Sequence, residues 1–412
     1  MASREKTGQI ILGGEFININ NKNSHVLLEN NAIFHYRMKI VFTGGGTGGH
    51  FYPIIAVAEE IREITKEENL IEPELFFLAP DPYDKKTLFE LGIQYEKISA
   101  GKVRGYFSLM NFFDLFKTGW GIVKSVLVVF NIFPDVIFSK GGYGSFPVVL
   151  ASRIFKIPLV IHESDSAPGK VNRWAGKFAK RISISFPEAS KYFPADKVAL
   201  TGNPIRKDLI SPSKTGAVEF LKLESGIPVI FVLGGSLGSQ IINSVILEAL
   251  PRLIEKYQII HQTGDKNFEE IKKLSELNLR NNKLKNRYKP FPYLNNMGMR
   301  MSAGVADIVI SRAGSTIFQI AVWGLPSIII PITESNENHQ RRNAFNYASA
   351  GACVVIEENN FSDDILVSQI EESMGNEVKR NKMINSAKTF AKTDSAKIIA
   401  KELIGIALEH EK

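Results

Sequence analysis

The sequence predicts an α/β protein made of two doubly wound domains that face each other across a cleft. Short apolar runs alternate with amphipathic stretches from Lys39 onward, and the same alternation starts again at Val229. Such alternation is typical of a parallel sheet covered by helices on both faces. Each half also begins with a strand that runs into a glycine-rich loop, at residues 44–49 and 234–238. Because ligands bind at the carboxyl ends of the strands in such sheets, we expect a phosphorylated ligand in the cleft.

The first half contains five apolar runs of strand length, separated by stretches with helical spacing. Strands are predicted at residues 40–42, 75–78, 136–138, 159–162 and 181–185. Helices are predicted at residues 53–66, 109–130, 146–155 and 171–178. The first of these helices is expected to begin at Pro53.

The second half repeats this layout without detectable sequence repetition. Strands are predicted at residues 229–233, 259–262, 308–311, 327–331 and 353–356, with a helix at 239–256. Residues 201–226 contain Pro204, Pro212 and Gly216, a composition that suits an interdomain connection. We therefore expect a first domain at 38–205 and a second at 206–389.

The composition limits the classes of partner. The formal net charge is +7, which favours anionic partners, although no basic run is dense enough to indicate nucleic acid. The single cysteine, Cys353, excludes a disulfide framework or a cysteine-based zinc site within one chain. Residues 1–37 are rich in asparagine and lack a lasting period, so we expect a poorly ordered N-terminal extension before the globular pattern begins at Met38.

The first glycine-rich loop has the strongest signal for binding. Five glycines lie between Thr43 and His50, where a strand leads into a helix whose free N–H groups suit an anion. The spacing also meets the Gly-x-Gly-x-x-Gly fingerprint of dinucleotide-binding proteins, but Asp81 lies about twice as far along as that fingerprint expects. A nicotinamide-dependent oxidoreductase therefore stays an alternative. His50, at the start of the helix, is a candidate catalytic group.

Other polar segments follow predicted strands and are expected at the same edge of the sheets. Glu163 and Asp165 lie beside His162 and can transfer protons or bind hydroxyl groups, unless Asp165 simply caps the next helix. The remaining segments are residues 141–145, 234–238, 311–316 and 339–344. No His-x-x-x-His or paired acidic motif indicates a metal, and no P-loop signature is present, so we expect neither metal nor cofactor.

The stretch at residues 109–120 is rich in aromatic side chains for a helix on a soluble domain. Basic residues lie near it at Lys102, Arg104, Lys117 and Lys124. An apolar face surrounded by cations is typical of a protein that rests on an anionic membrane surface. The alternative is that the helix packs on its own sheet. No stretch reaches the ~18 apolar residues that a membrane span needs.

Taken together, the motifs resemble the MurG family, the UDP-N-acetylglucosamine–lipid I transferases of bacterial peptidoglycan synthesis in glycosyltransferase family 28. The resemblance runs from about Met38 to the C-terminus. It rests on Thr43-Gly44-Gly45-Gly46-Thr47-Gly48-Gly49-His50, Gly141-Gly142-Tyr143 with Pro147, His162-Glu163, Thr201-Gly202-Asn203-Pro204-Ile205-Arg206, Gly234-Gly235-Ser236, Ser311-Arg312-Ala313-Gly314, and His339-Gln340 with Asn343-Ala344.

The resemblance implies a GT-B fold, with two Rossmann-like domains and a C-terminal helix at about residues 390–412 that crosses back to the first domain. It also implies inverting transfer of N-acetylglucosamine from UDP-N-acetylglucosamine to the C4 hydroxyl of the muramoyl sugar in lipid I, giving lipid II. By the same resemblance the enzyme works as a peripheral protein on the cytoplasmic face of the plasma membrane.

The resemblance also implies roles for individual residues. Thr47, Gly48 and Gly49 would face the acceptor diphosphate, with His50 as general base or as a group that stabilises the leaving diphosphate. Independently of the resemblance, the carboxylate of Glu163 beside His162 makes it a second catalytic candidate. Asp165 would contact a sugar or the acceptor. In the second half, Ser236 would contact the donor diphosphate, Arg206 would lie near the uracil, and His339 and Gln340 would contact the donor sugar.

Two positions depart from the family pattern. At Asp165 some relatives carry asparagine, although others carry aspartate, and the second departure affects the ribose contact. Gln319 stands where the family often has a glutamate that holds the ribose hydroxyls. An amide still bonds hydroxyls, but it loses the charge-assisted contribution, which makes such a bond roughly twice as strong as a neutral one. This departure leaves open a third hypothesis, a nucleotide-sugar binding protein without catalytic activity.

Overall fold

The structure is a computed structural model that describes residues 37–101, 109–235, 237–333 and 338–409, without the side chains of 109–115. It also describes the backbone of four short strands nearer the N-terminus. These are β1 (Gln9–Leu12), β2 (Glu15–Asn18), β3 (Val26–Glu29) and β4 (Ala32–His35). Two antiparallel hairpins result, β1 with β2 and β3 with β4, in the stretch for which we expected poor order. The other residues of 1–36 lie outside the described part.

A seven-stranded parallel sheet forms the centre of the first half. Its strands are β5 (Lys39–Thr43), β6 (Glu74–Ala79), β7 (Gln94–Lys97), β8 (Val136–Ser139), β9 (Leu159–Glu163), β10 (Arg181–Ile184) and β11 (Val198–Leu200). Their order is β11-β10-β9-β8-β5-β6-β7. The chain reverses direction across the sheet between β5 and β8. In doubly wound sheets such a switch point opens a crevice for ligands at the carboxyl ends.

Helices cover both faces of this sheet. They are α1 (Gly48–Glu67), α2 (Lys85–Glu90), α3 (Leu109–Ile132), α4 (Phe146–Phe155) and α5 (Lys170–Ala175). The start predicted for α1 was wrong, because the helix begins at Gly48 and contains Pro53. A proline so close to the N-terminus removes only one intrahelical bond, so it does not have to mark the first residue. The last glycines of the loop and His50 therefore lie in the first turn of α1.

The second half has a six-stranded parallel sheet. Its strands are β12 (Val229–Leu233), β13 (Gln258–Gln262), β14 (Tyr288–Phe291), β15 (Ile308–Ser311), β16 (Ser327–Ile329) and β17 (Cys353–Val355), in the order β14-β13-β12-β15-β16-β17. The switch point lies between β12 and β15. Both sheets thus place the first strand of their half beside a switch point and follow it with a glycine-rich loop, as predicted.

Helices complete the second half and the chain. They are α6 (Lys207–Ile210), α7 (Ala217–Phe220), α8 (Gln240–Lys256), α9 (Phe268–Asn278), α10 (Asn296–Val305), α11 (Thr316–Trp323), α12 (His339–Ser349), α13 (Asp363–Gly375), α14 (Glu377–Phe390) and α15 (Ser395–Glu409). The last of them, α15, packs against α1 in the first half. Its buried residues Ile399, Leu403 and Ile406 belong to the same core as Phe42 and Ile54.

Helix α3 has one buried and one exposed face. Gly121 lies so close to the Ser99 carbonyl that a Cβ at this position would come within 1.6 Å of that oxygen. The opposite face leaves a stripe of large apolar side chains exposed, at Phe116, Trp120, Val123, Leu127 and Phe130. One face of α3 therefore packs on the domain, and the opposite face leaves an apolar surface exposed. Among the described residues, no helix combines the length and apolarity required to span a bilayer.

Candidate active site in the interdomain cleft

A cavity of about 850 Å³ lies where the carboxyl ends of the two sheets meet. It is lined by both glycine-rich loops and by the connection between the halves. The predicted site residues among its lining are Thr47, Gly48, Gly49, His50, Asp165, Arg206, Gln319, His339 and Gln340. Glu163 is not among the lining residues, and Ser236 lies outside the described residues. Residues separated by nearly three hundred positions thus share one site.

His50 is held between the two glycine loops of the first half. Its Nδ1 lies 2.8 Å from Thr47 Oγ1. Its Nε2 is so close to Gly142 that a Cβ there would approach it to 3.2 Å. Burial, and after it the Lys140 ammonium, lower the pKa of His50 to about 4, against the opposing effect of the Asp165 carboxylate. The imidazole is therefore neutral at pH 7 and able to accept a proton.

Glu163, which we expected to be catalytic, does not line the cavity and is hydrogen-bonded on both carboxylate oxygens. One carboxylate oxygen accepts the Asp165 N–H at 2.9 Å, and the other accepts Asn172 Nδ2 at 2.9 Å and the Gly169 N–H at 3.2 Å. The side chain is 4% exposed. Burial and the neighbouring Asp165 carboxylate raise its pKa. These bonds fix the loop that presents Asp165 to the cleft, so the geometry gives Glu163 a positioning role.

Lys140, which the sequence reasoning missed, lies beneath the glycine loops. Its ammonium is buried and has no hydrogen-bond partner among the described residues. Burial lowers its pKa, although Glu163 and Asp165 oppose that shift. The only sequence signal for Lys140 is its place directly after the buried strand β8, where a charged residue is unusual.

Asp165 connects the two halves across the cleft. Its Oδ1 accepts a hydrogen bond from Asn343 Nδ2 at 2.8 Å, and its Oδ2 lies 3.9 Å from His339 Nδ1. Asn343 Oδ1 in turn accepts the Ser166 N–H at 3.0 Å. Asp165 does not cap α5, since that helix has Gly169 at its N-cap. The capping alternative is therefore wrong, and the carboxylate is available to the cleft.

A second contact joins the halves on the side of α1. The hydroxyls of Tyr52 and Tyr293 are 3.1 Å apart, and the Arg206 guanidinium stacks 4.0 Å above the Tyr52 ring. Arg206 lies in the connection between the two sheets, immediately before α6. A guanidinium stacked in this way keeps its in-plane donors free for other partners.

The second glycine loop leads into α8, whose first residues line the cavity. Ser239 is the N-cap of α8 and accepts the Ile242 N–H at 3.4 Å. Arg312 Nε donates to Ser239 Oγ at 3.0 Å, and its Nη1 lies 2.6 Å from Glu358. Arg312 therefore ties the start of α8 to the loop after β17. The helix N-terminus is a suitable place for an anionic group.

Polar side chains line the remainder of the second half of the cavity. Gln319 lies on α11, and His339 and Gln340 form the first turn of α12. Gln340 Oε1 accepts the Ile332 N–H at 3.3 Å. Among the described residues, no group of three or more His, Cys, Asp or Glu side chains is arranged to hold a metal ion. The site therefore offers amides, hydroxyls and N–H groups, which suit a sugar nucleotide.

Comparison with known proteins identifies the family to which this arrangement belongs. The glycosyltransferase family 28 N-terminal domain matches residues 40–184, and the family 28 C-terminal domain matches residues 229–399. The chain belongs to glycosyltransferase family 28. The two family 28 domains correspond to the two sheets, and each match begins within a residue of the first strand of its sheet.

Relatives within the family match over nearly their whole length. A Halothermothrix orenii protein is 38% identical over 363 residues, which cover 86% of this chain and 95% of the relative. A Clostridium botulinum protein is 35% identical over 351 residues, which cover 84% and 93%. Both are named UDP-N-acetylglucosamine–N-acetylmuramyl-(pentapeptide) pyrophosphoryl-undecaprenol N-acetylglucosamine transferase.

A solved structure supports the assignment of the family 28 fold. The crystal structure of MurG from Acinetobacter baumannii covers 89% of this chain and 99% of its own, with a TM-score of 0.66 and 23% sequence identity. The GT-B fold implied by the sequence motifs is therefore confirmed.

Proposed function

We infer that the protein transfers N-acetylglucosamine from UDP-N-acetylglucosamine to lipid I, in peptidoglycan synthesis. The inference rests on relatives that match both halves of the chain. Relatives at 35% and 38% identity are named as this N-acetylglucosamine transferase, and each covers more than four fifths of the chain. The cavity between two glycine-rich loops fits a reaction between two diphosphate-bearing substrates. The oxidoreductase alternative has no comparable support.

The donor binds to the second half. The second glycine loop and the N-terminus of α8 receive the diphosphate, because free N–H groups there stabilise an anion. Gln319 bonds the ribose hydroxyls as a neutral donor and acceptor, and His339 and Gln340 bond the sugar. Arg206 lies at the uracil side, where its stacking on Tyr52 holds the guanidinium plane.

The acceptor binds to the first half, with its diphosphate at Thr47, Gly48 and Gly49. In the reaction, the C4 oxygen of the muramoyl sugar forms a bond to the anomeric carbon of N-acetylglucosamine. The bond from that carbon to the diphosphate oxygen breaks, and UDP leaves with the electron pair. Attack from the face opposite the leaving group inverts the anomeric carbon.

His50 takes the proton of the attacking hydroxyl. In the tautomer this requires, Nδ1–H donates to Thr47 Oγ1 and leaves Nε2 free to accept. Desolvation by the surrounding loops keeps the imidazole neutral before the substrates bind. Two bound diphosphates add negative charge near His50, which stabilises the imidazolium formed in the transition state.

The enzyme works on the cytoplasmic face of the plasma membrane, as a peripheral protein bound to anionic lipid. The exposed apolar stripe of α3 supports this location, because Phe116 and Trp120 are 65% and 68% exposed. Lys117 and Lys124 lie on the same helix and match the negative charge of such a surface. Nucleic acid is not a partner in this proposal.

The test is turnover. The full chain is incubated with UDP-N-acetylglucosamine and a lipid I analogue, and both UDP and the disaccharide product are measured. UDP release that depends on the acceptor is expected. Binding of the donor without any product would instead identify a non-catalytic nucleotide-sugar binding protein. UDP-N-acetylgalactosamine serves as the matched control for the donor sugar.

A further inference from the structure

A second cavity, of about 560 Å³, lies between the two halves and is separate from the active site. Ser166, Lys191 and Tyr192 line it from the first half, and Arg342 and Phe345 line it from the second. Two aromatic side chains and several long cations thus share one cavity. Such a combination suits a ligand that has both apolar parts and negative charge.

The charge of this cavity is predominantly positive. Lys191, Arg341 and Arg342 line it, with Glu188 as the one acidic residue among the described lining. Arg341 already forms an ion pair with Glu357, since its Nε and Nη2 both lie 2.9 Å from that carboxylate. Arg342 is exposed and has no ion-pair partner among the described residues. Its planar fork of donors is therefore available to a carboxylate.

This cavity and the active site are lined in part by residues that are adjacent in the chain. Asp165 and His339 line the active site, whereas their chain neighbours Ser166 and Asn338 line the second cavity. Asn343 bonds both Asp165 and Ser166, so it holds together one lining residue of each cavity. Arg342 lies three residues after His339 on α12, so the two side chains are neighbours on the helix surface.

We propose that the second cavity binds a carboxylate of the peptide that the acceptor sugar carries, with Arg342 as the principal contact; this rests on the proposed function. The muramoyl sugar bears its peptide on the C3 oxygen, next to the attacking C4 hydroxyl. The peptide must therefore leave the active site beside the donor sugar, where Asp165 and His339 lie. Any linear peptide ends in a carboxylate, and Arg recognises carboxylates through paired hydrogen bonds.

The experiment compares two lipid I analogues that differ only in whether the peptide carboxylates are free or amidated. With the wild-type enzyme, amidation raises the KM of the acceptor by roughly fivefold, as for loss of a charge-assisted hydrogen bond at an exposed site. Arg342→Gln raises the KM of the free-carboxylate analogue by a similar factor and abolishes the difference between the two analogues. Arg342→Lys restores part of that difference, and the KM of UDP-N-acetylglucosamine stays unchanged.

Arg280→Gln is the matched control, because it removes an exposed arginine after α9, on the second half. It is expected to leave both KM values and the preference intact. Equal KM values of the wild-type enzyme for both analogues would overturn this inference alone, as would an Arg342→Gln variant that keeps the preference. Absence of turnover with every analogue would overturn the proposed function and this inference with it.

Discussion

The exposed stripe on α3 gives a prediction whose size follows from the structure. The change is Phe116→Ser together with Trp120→Ser, which removes the two most exposed aromatic side chains of that helix for which exposure is described, at 65% and 68%. Neither side chain supports the buried core, because the buried face of α3 carries Gly121, Ser125 and Val129. We therefore expect the variant to fold normally and to bind membranes weakly.

The magnitude comes from the apolar area that the two side chains present. An aromatic side chain has on the order of 200 Å² of surface, so two-thirds exposure leaves about 130 Å² for each. If half of that area enters the lipid, each side chain contributes about 1.5 kcal/mol at ~25 cal/mol per Å². The pair then contributes about 3 kcal/mol, which corresponds to a decrease of roughly 100-fold in the partition coefficient.

The assay is co-sedimentation with vesicles that contain anionic lipid, at low and at high salt. Wild-type binding is expected to weaken at high salt because Lys117 and Lys124 contribute electrostatic attraction. Phe220→Ser with Leu277→Ser is the control, since it removes exposed apolar groups from the second half. Wild-type partitioning by the Phe116/Trp120 variant, or an equal loss in the control, would refute the location of the membrane surface.

Three further predictions concern the site and the packing of the first half. His50→Ala lowers kcat by ~10²-fold, the scale of a lost general base. In the wild-type enzyme, protonation of His50 decreases kcat/KM only when the pH falls towards about 4, the pKa of this imidazole; a decrease near pH 6.5 that is caused by His50 would contradict this. Gly142→Ala lowers kcat by a similar factor, because the new Cβ would approach His50 Nε2 to 3.2 Å; since φ is 82°, the variant also has a lower Tm, and activity assays well below that Tm check the loss of kcat. Gly121→Ala lowers Tm by several degrees because its Cβ would meet the Ser99 carbonyl, whereas Gly119→Ala, with nothing within 4 Å, leaves Tm equal or higher; similar Tm values for both would refute the close packing of α3.

The central strands were predictable from the sequence, whereas three of the four edge strands of the two large sheets, β7, β11 and β14, were not. β5, β8 and β12 are continuous apolar runs because both faces of a parallel sheet are covered. β7 and β14 were missed, since the first reads Gln-Tyr-Glu-Lys and the second contains Pro290. Both lie at a sheet edge, where charged residues and proline are tolerated because one side of the ladder is unpaired.

Residues of the candidate site were predictable only where they belong to a short sequence motif. His50 and the glycines beside it could be recognised because a strand, a loop and a helix start follow one another in the sequence. The bond between Asp165 and Asn343 joins residues 178 positions apart, so no local pattern contains it. Glu163 looked catalytic as a carboxylate beside a histidine, but its three hydrogen bonds depend on how the following loop folds back.

The packing of α15 against α1 determines which half of the protein can complete its folding first during synthesis. The first half leaves the ribosome early, but its core includes Leu403 and Ile406, which are synthesised after the whole of the second half. The second half is continuous in sequence from β12 to α14 and can fold before the first half is complete. A premature stop codon shortly before α15 would therefore leave the second half intact and expose the apolar surface of α1, in the domain synthesised first.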